Sequence, residues 1–181
     1  MKMKKTVIII NGNGGVGKDT LCLFAGRHFR VRNVSSVTPI KEIARKYGGW
    51  NGEKDPKSRK FLADLKELFV NYNDLPFQYL CEEYKDFMQS EEELMFVHIR
   101  EGEEIEKLKS WIKTDCITLL VTRRQNAQIS WGNASDDNVS SFQYDYVYPN
   151  DRSLEEAEAD FCRFLRQILD SDNRYPDGGK G

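Results

Sequence analysis

The sequence has few of the residues that build metal sites and covalent crosslinks. It contains two histidines, which are well separated, and four cysteines, none of which forms a C-x-x-C pair: Cys22, Cys81, Cys116 and Cys162. Each cysteine falls in an apolar helix or strand pattern, which favours buried reduced thiols. The sequence therefore argues against a zinc-organised or disulfide-organised fold.

The chain also lacks an excess of positive charge and any long hydrophobic run. Its net charge is −2 and its pI is near 5.8, so it has no basic field that would attract nucleic acid. The Lys-rich start, MKMKK, precedes an apolar run too short for a signal peptide or a membrane span. We expect a soluble, cytoplasmic protein that binds neither nucleic acid nor membranes. The composition leaves its oligomeric state open.

The length and composition predict one globular domain. The 181 residues include 39% hydrophobic and 12% aromatic side chains, enough to bury an ordinary core. We predict a single domain over residues 1–170. The polar, glycine-containing segment 171–181 is predicted to be a disordered tail.

The most informative stretch is KTVIIINGNGGVGKDT, residues 5–20. Its short, β-branched run Val7 to Ile10 predicts a strand buried on both faces. Closely spaced glycines follow, and they let the backbone curl so that successive N–H groups can point at an anion. The spacing of Gly12, Gly17 and Lys18 matches the Walker pattern. The stretch is therefore predicted to be a phosphate-binding loop that leads into a helix.

The residue after Lys18 is Asp19, where the usual pattern has Ser or Thr. Either Asp19 offers Mg²⁺ a carboxylate, or Thr20 offers it a hydroxyl one residue later, and the sequence leaves both open. The residues predicted to contact ATP are Asn13, Gly14, Gly15, Val16, Gly17, Lys18, Asp19 and Thr20. A glycine-rich turn that binds nothing is the competing interpretation. The strand before the loop and the helix after it make that interpretation less favourable.

Short apolar runs alternate with amphipathic helices along the rest of the chain. The predicted strands are Val7–Ile10, Val34–Thr38, Leu94–Ile99, Cys116–Val121 and Tyr144–Tyr148. This alternation predicts an α/β fold, with a parallel five-stranded sheet covered by helices on both faces. Helical apolar stripes, including Phe61, Leu68 and Leu154, are predicted to face the core. Periodicity does not give the strand order.

Arginines follow two of the predicted strands. Arg100 comes after the third strand, and Arg123 and Arg124 come after the fourth. Ligands of open α/β sheets bind at the carboxyl ends of the strands, and phosphoryl transfer needs cations there. We therefore predict catalytic roles for Arg100 and for Arg123 or Arg124. The long polar segment 125–143 is predicted to be a lid.

Several runs in chain order resemble one known family. They are GNGGVGKDT, TPIKEIARKYGGWNGEKD, VHIREGEEIEKL, LLVTRR and YPNDRSLEE. They resemble the nucleoside monophosphate kinase group of P-loop proteins, most of all the viral and bacterial deoxynucleoside monophosphate kinases. The resemblance spans nearly the whole chain, although only the phosphate-binding loop is specific by itself. It implies a P-loop NTPase three-layer sandwich with a lid, ATP and Mg²⁺ as cofactors, and a nucleoside monophosphate as the small-molecule acceptor.

The resemblance also implies roles for individual residues. Lys18 and the loop amides would hold the ATP phosphates, Arg100 would meet the acceptor phosphate, and Arg123 or Arg124 would close from the lid. The acceptor would be surrounded by Lys41, Arg45 and Arg59.

The chain departs from the family pattern at two positions. His98 stands where the family usually has aspartate, and Glu103 replaces an asparagine. Either Glu101 or Glu104 is a candidate to replace the missing family residues, which would contact the waters around the metal. A buried neutral histidine without chemistry is the favoured interpretation of His98.

Two other functions fit the same loop. One is a phosphomevalonate kinase, some of which carry a GKD loop, or another small-metabolite kinase. The other is a nucleotide-binding regulator without catalytic activity, since fold alone does not settle function. Acceptor profiling would separate the three.

Overall fold

A computed structural model describes residues 4–124 and 139–172 of the chain. In this part of the chain the strands are β1 Thr6–Asn11, β2 Val31–Ser35, β3 Leu94–His98, β4 Asp115–Thr122 and β5 Tyr146–Pro149. The helices are α1 Lys18–Ala25, α2 Thr38–Gly48, α3 Pro56–Asn73, α4 Leu75–Gln89, α5 Gly102–Trp111 and α6 Leu154–Asp172. A short 3-10 turn spans Val139–Ser141.

The five strands form one parallel sheet in the order β2-β3-β1-β4-β5. Successive residues of the central strand β1 point to opposite faces, because side chains alternate along a strand. Val7 and Ile9 pack with residues of α4 and α5, whereas Ile8 and Ile10 pack with residues of α1 and α6. The sheet therefore has a hydrophobic core on each face. This confirms the predicted three-layer α/β sandwich.

The edge strand β2 begins and ends earlier than the sequence predicts. It runs from Val31 to Ser35, because the chain turns after Ser35 and α2 starts at Thr38. Arg32 of this strand donates to Glu92 Oε2 at 2.7 Å and to Glu83 Oε2 at 3.1 Å. These charged pairs hold an edge that has fewer apolar contacts than the central strands.

Helix α3 does not pack as its sequence pattern predicts. Within this fully described helix no residue is buried, and Phe61 and Leu68 are 37% and 63% exposed. The prediction that its apolar stripe belongs to the core is wrong for Phe61 and Leu68, because α3 packs against α2 and α4 at the outside of the helical layer. Leu65 and Phe69 of the same stripe are half-buried. Leu154 is also exposed, at 70%, because it begins α6 one turn before Ala157 reaches the core.

The described residues cover only part of the predicted lid and tail. Residues 125–138 of the predicted lid lie outside them, whereas residues 139–143 are described, and Val139 is only 2% exposed. Helix α6 continues to Asp172, so the first two residues of the predicted tail are helical. Residues 173–181 lie outside the described residues. No helix in the described ranges is long and apolar enough to cross a membrane.

Candidate active site

The glycine loop after β1 needs glycine at two of its positions. Gly12, Gly15 and Gly17 have positive φ angles of 151°, 79° and 90°. A Cβ atom at Gly12 would lie 2.4 Å from the carbonyl oxygen of Val121, and one at Gly17 would lie 2.6 Å from Nδ2 of Asn150. The loop is therefore packed closely against the carboxyl ends of β4 and β5.

Asn11 fixes the start of the loop, a role that was not predicted from the sequence. It is 1% exposed, its Oδ1 accepts from the Gly12 amide at 2.8 Å, and its Nδ2 donates to the Arg100 carbonyl at 3.0 Å. The same Nδ2 donates at 2.8 Å to the Tyr144 hydroxyl, which in turn donates to the Val139 carbonyl at 2.8 Å. Asn11 thus connects the loop to the ends of β3 and of the predicted lid. A polar residue that ends an apolar strand is the sequence signal that could have identified it.

Lys18 begins α1 and turns its ammonium group back over the loop. Its Nζ donates to the Gly12 carbonyl at 2.5 Å and to the Asn13 carbonyl at 3.3 Å. The first-turn amides of a helix carry partial positive charge, so the ammonium and these amides form one electropositive region. The structure therefore brings together the groups that the sequence predicts for phosphate binding.

Asn13 provides a further test of whether the loop fits a phosphate. Its side-chain Oδ1 is buried and has no hydrogen-bond partner among the described residues. An amide side chain that turns by 180° presents N–H donors in place of the oxygen. The Asn13 side chain can therefore donate to a phosphate oxygen in the loop.

Asp19 and Thr20 follow Lys18 on the first turn of α1. The Asp19 side chain is 94% exposed, and Thr20 is half-buried. Across residues 4–124 and 139–172, no group of three or more histidines, cysteines and carboxylates is placed to hold a metal ion. Mg²⁺ in phosphoryl-transfer sites is held by one or two carboxylates together with substrate phosphates and waters. The single Asp19 carboxylate beside a phosphate loop fits such an ion.

His98, at the carboxyl end of β3, lies at the centre of the candidate site. Its side chain is 15% exposed, and its Nε2 is 2.7 Å from Asn33 Oδ1 and 3.7 Å from Cys22 Sγ. Because Asn33 Oδ1 can only accept, Nε2 carries the proton in the neutral ring. The other nitrogen, Nδ1, is 3.9 Å from Asp19 Oδ1 and is an acceptor facing the loop.

The charges around His98 show which groups face it. Burial lowers the pKa of His98 to about 4, and the positive charges of Lys18, Lys41 and Arg100 lower it as well, against the opposing charge of Asp19. The imidazole is therefore neutral at pH 7, which agrees with the favoured interpretation of the sequence. His98 therefore lies within electrostatic reach of both the phosphate loop and the predicted acceptor region.

The predicted acceptor region is a group of positively charged side chains around Lys41. Lys41 is half-buried, and burial lowers its pKa, as do the charges of Arg45, Arg100 and Lys54. Lys54 lies between α2 and α3 and was not predicted from the sequence. We call Lys41, Arg45, Lys54 and Arg100 the cationic pocket, because the charges of the other three act on Lys41 and together they attract anions.

Side-chain contacts also organise the segment between α2 and α3. The Arg45 guanidinium lies 4.8 Å from the centre of the Trp50 ring, and Trp50 Nε1 donates to the Glu53 carbonyl at 2.9 Å. Arg59 Nε donates to the Lys54 carbonyl at 2.9 Å. The structure thus places Arg59 beside Lys54, at the border of the cationic pocket.

The two arginines after β4 differ in their surroundings. Arg124 is 92% exposed, and its Nε lies 3.2 Å from Asp151 Oδ2 while its backbone amide donates to Asp151 Oδ1 at 2.8 Å. Arg123 is half-buried at the same edge of the sheet. Arg124 must exchange Asp151 for a substrate if it contributes to transfer, so the two arginines remain separate candidates.

Glu101 and Glu104 share one lysine. Lys66 of α3 is 14% exposed, and its Nζ is 2.8 Å from Glu101 Oε2 and 2.9 Å from Glu104 Oε1. Burial alone would raise the pKa of Glu101, but Lys66 outweighs it and the pKa is lowered. Burial raises the pKa of Glu104, and the nearby Glu101 charge adds to that rise. Both carboxylates are held by Lys66, which does not support the predicted role in a metal water shell.

Comparison with known proteins shows similarity in structure but not in sequence. No family model and no curated protein matches the chain. A "putative kinase" structure from Chloroflexus aurantiacus matches with a TM-score of 0.54 and 14% identity, over 94% of this chain and 98% of that chain. The shikimate kinase of Bacteroides thetaiotaomicron matches with a TM-score of 0.47 and 18% identity, over 92% and 98% of the two chains. The APS kinase of Mycobacterium tuberculosis, solved with AMPPNP and APS, matches with a TM-score of 0.41 and 11% identity, over 91% and 99%. The Chloroflexus structure, whose TM-score is above 0.5, shares with this chain the overall fold of a parallel sheet between two layers of helices.

Proposed function

We propose that the protein is an ATP-dependent kinase that transfers the γ-phosphoryl group of ATP to a nucleoside or deoxynucleoside monophosphate. One observation carries this proposal. The phosphate loop and the cationic pocket lie at the same carboxyl edge of the sheet, since Asn11 at the start of the loop donates from Nδ2 to the Arg100 carbonyl at 3.0 Å. The positive charges of Lys18, Lys41 and Arg100 all lower the pKa of His98 between them. Two anion sites at one edge of the sheet suit a reaction between two phosphate groups.

The donor side of the reaction is the phosphate loop. Lys18 exchanges the Gly12 and Asn13 carbonyls for oxygens of the β- and γ-phosphates, and the loop amides bind the remaining oxygens. The close packing of Gly12 and Gly17 keeps these donors fixed while charge develops, so they need no reorganisation.

Mg²⁺ fits this site beside Asp19 or Thr20, and when bound it neutralises charge on the β- and γ-phosphates. The exposed Asp19 carboxylate at the start of α1 supports Asp19 as its ligand. We therefore expect Asp19→Asn to raise the Mg²⁺ concentration needed for half-maximal activity more than Thr20→Val does. The reverse order would assign the metal to Thr20.

The acceptor side is the cationic pocket. Arg100 and Arg45 present planar guanidinium groups that match a phosphate with two parallel hydrogen bonds. The Arg100 backbone is fixed because its carbonyl accepts from Asn11 Nδ2 at 3.0 Å. The pocket holds the acceptor phosphate so that one oxygen bonds to the γ-phosphorus while the bond to the β–γ bridging oxygen breaks. The products are ADP and a nucleoside diphosphate.

The proposal is tested by ADP release from Mg-ATP with a panel of acceptors. The panel contains nucleoside and deoxynucleoside monophosphates, phosphomevalonate, shikimate and simple sugars, with ATP hydrolysis in buffer as the baseline. We expect turnover with at least one monophosphate and none above baseline with the other compounds. Turnover with phosphomevalonate, shikimate or a sugar alone would identify a small-metabolite kinase. ATP binding without turnover under any acceptor would identify a nucleotide-binding regulator.

A further inference from the structure

A cavity of about 180 Å³ lies between α3, α4 and the start of α5. Its apolar wall consists of Val70 from α3 and of Pro76, Phe77 and Leu80 from α4. A cavity of ~150 Å³ with apolar walls is large enough to bind benzene. This cavity therefore has room for one ring system and not for a long chain.

The rest of the cavity lining is mostly acidic. Asp74, Glu103 and Glu104 line it together with one ammonium group, that of Lys107. Lys107 pairs with Asp74 and also lies 4.4 Å from the centre of the Phe77 ring. The remaining carboxylates give the wall a negative charge, so it repels a phosphate and accepts hydrogen bonds from N–H groups.

Lys66 fixes the orientation of one of these carboxylates. Its Nζ lies 2.9 Å from Glu104 Oε1 and 3.1 Å from Glu104 Oε2, and Lys66 is 14% exposed. Glu104 also shares a side-chain hydrogen bond with Glu101. Because a carboxylate has four lone pairs on its two oxygens, Glu104 still has room to accept a further hydrogen bond. The carboxylate is held in one place at the cavity wall with acceptor capacity remaining.

The cavity adjoins the cationic pocket along the chain. Glu103 follows Arg100 by three residues, so their Cα atoms are at most ~11 Å apart. Ser36 at the end of β2 lines the cavity, and α2, which carries Lys41, begins two residues later. The cavity and the cationic pocket are therefore built from neighbouring segments of the chain, which favours one acceptor molecule that occupies both.

We propose that this cavity binds the base of the acceptor and selects bases with an exocyclic amino group, namely adenine, guanine or cytosine. The inference rests on the proposed function and names the acceptor class for that site. Glu104, held by Lys66, accepts hydrogen bonds from the amino edge of the base while Phe77 contacts its face. Uracil and thymine present carbonyl oxygens on both sides of their N–H, and these oxygens face the carboxylate unfavourably. Phosphomevalonate, which is anionic at both ends, is repelled by the acidic wall.

Steady-state kinetics with AMP, GMP, CMP, UMP and dTMP test the proposal on the parent and on Glu104→Gln. We expect the parent to favour at least one amino-bearing base over UMP and dTMP by about 10- to 100-fold in kcat/KM, the range of a hydrogen bond to a charged group. Glu104→Gln replaces an acceptor with an amide that also donates. It should reduce this preference about tenfold or more, mainly through KM. Glu67→Gln is the matched control, because Glu67 is an exposed neighbour of Lys66 on α3, and it should leave the preference unchanged.

A parent that prefers UMP or dTMP would overturn the inference, and so would a Glu104→Gln variant that slows all five acceptors equally. Calorimetric binding of ATP to each variant checks that the phosphate loop is intact. If no monophosphate is phosphorylated, the proposed function fails, and the cavity is tested separately by calorimetric binding of adenosine, cytidine, guanosine and uridine. Stronger binding of an amino-bearing nucleoside than of uridine supports the cavity assignment in that case. Equal binding, or no binding, contradicts it.

Discussion

The two halves of the candidate site are held together in different ways. The phosphate loop is fixed by close backbone contacts, with Gly12 against Val121 and Gly17 against Asn150. On the acceptor side, α3 has no buried residue, and its Lys66 reaches α5 through charged contacts. The loop, which is the donor side in the proposed function, is therefore closely packed, and we expect it to bind phosphate in general. The proposed acceptor side depends on charged side chains, and we expect their identity to set the substrate.

The difference also explains which groups are costly to change. Packing against a backbone cannot adapt, so a substitution in the loop affects the fold and the chemistry together. Side-chain charges at the border of the site can be exchanged with smaller effects, because water partly replaces them. The predictions below compare the two sides in order of decreasing effect.

Lys18→Ala removes the ammonium group of the rigid side. We expect turnover to fall by ~10² to 10³-fold, as when other transition-state hydrogen-bond donors are removed. Lys60→Ala is the control, because Lys60 is 75% exposed and pairs with Asp64 on α3. The measurement is kcat for ADP release at saturating ATP. Equal kcat for the parent and Lys18→Ala would remove the loop from the mechanism.

His98 should make stability depend on pH. Its pKa is about 4 in the folded protein and 6.5 in the unfolded chain, so above pH 6.5 the ring is neutral in both states and contributes no pH dependence. As the pH falls from 6.5 to 4 only the unfolded chain takes up the proton, and the folded state loses stability. The full loss is about 3 kcal/mol, at ~1.36 kcal/mol for each pKa unit.

Urea unfolding of the parent and of His98→Asn at a series of pH values measures this contribution. The parent should lose more of its unfolding free energy than the variant between pH 6.5 and pH 4. Parallel profiles for the two proteins would mean that His98 is protonated as easily in the folded state as in the unfolded chain.

Gly12→Ala and Gly49→Ala compare a closely packed glycine with an open one. Both glycines have positive φ, but a Cβ at Gly12 would meet the Val121 carbonyl at 2.4 Å, whereas a Cβ at Gly49 would meet no atom within 4 Å. We expect Gly12→Ala to lower the unfolding free energy by about 3 kcal/mol or more. Gly49→Ala should cost about 1 to 2 kcal/mol from backbone strain alone. Equal losses in denaturant unfolding would show that the loop is not tightly packed.

Arg100→Lys tests the acceptor side with the charge retained. A lysine cannot form the two parallel bonds of a guanidinium group, so kcat/KM for the acceptor should fall about tenfold, equivalent to one charge-assisted hydrogen bond. The KM for ATP should change little. Arg163→Lys on α6 is the matched control at an exposed position. An unchanged acceptor kcat/KM in Arg100→Lys would place the acceptor phosphate elsewhere.

The sequence predicts the donor side well because its information is local. The apolar run of β1, the glycine spacing and Lys18 are consecutive, and each has one structural meaning. Strand order is not local, since the central strands are similar apolar runs that any neighbour could pair. The helical stripes of α3 and α4 have the same periodicity, yet Leu80 of α4 is 2% exposed and Leu68 of α3 is 63% exposed. Periodicity shows which face of a helix is apolar, but it does not show whether another element packs against that face.

The acceptor side is less predictable because its parts come from distant segments. Arg100 follows a recognisable strand, and Lys41 and Arg45 follow from the family resemblance. Lys54 lies in a polar connection and Lys66 on an amphipathic helix, and many charges in both settings are simply solvated. Only the fold brings Lys54 near Lys41, and Lys66 near Glu104.

Calorimetric titration of ATP and of the preferred monophosphate into the parent, Lys18→Ala and Arg45→Ala tests most directly whether the two halves are separate anion sites. The account predicts that Lys18→Ala weakens ATP binding and leaves monophosphate binding within about twofold, whereas Arg45→Ala does the reverse. The expected losses are about tenfold or more in Kd, the range of one hydrogen bond to a charged group. Loss of both ligands in both variants, with the proteins still folded, would contradict the account by showing a single shared phosphate site.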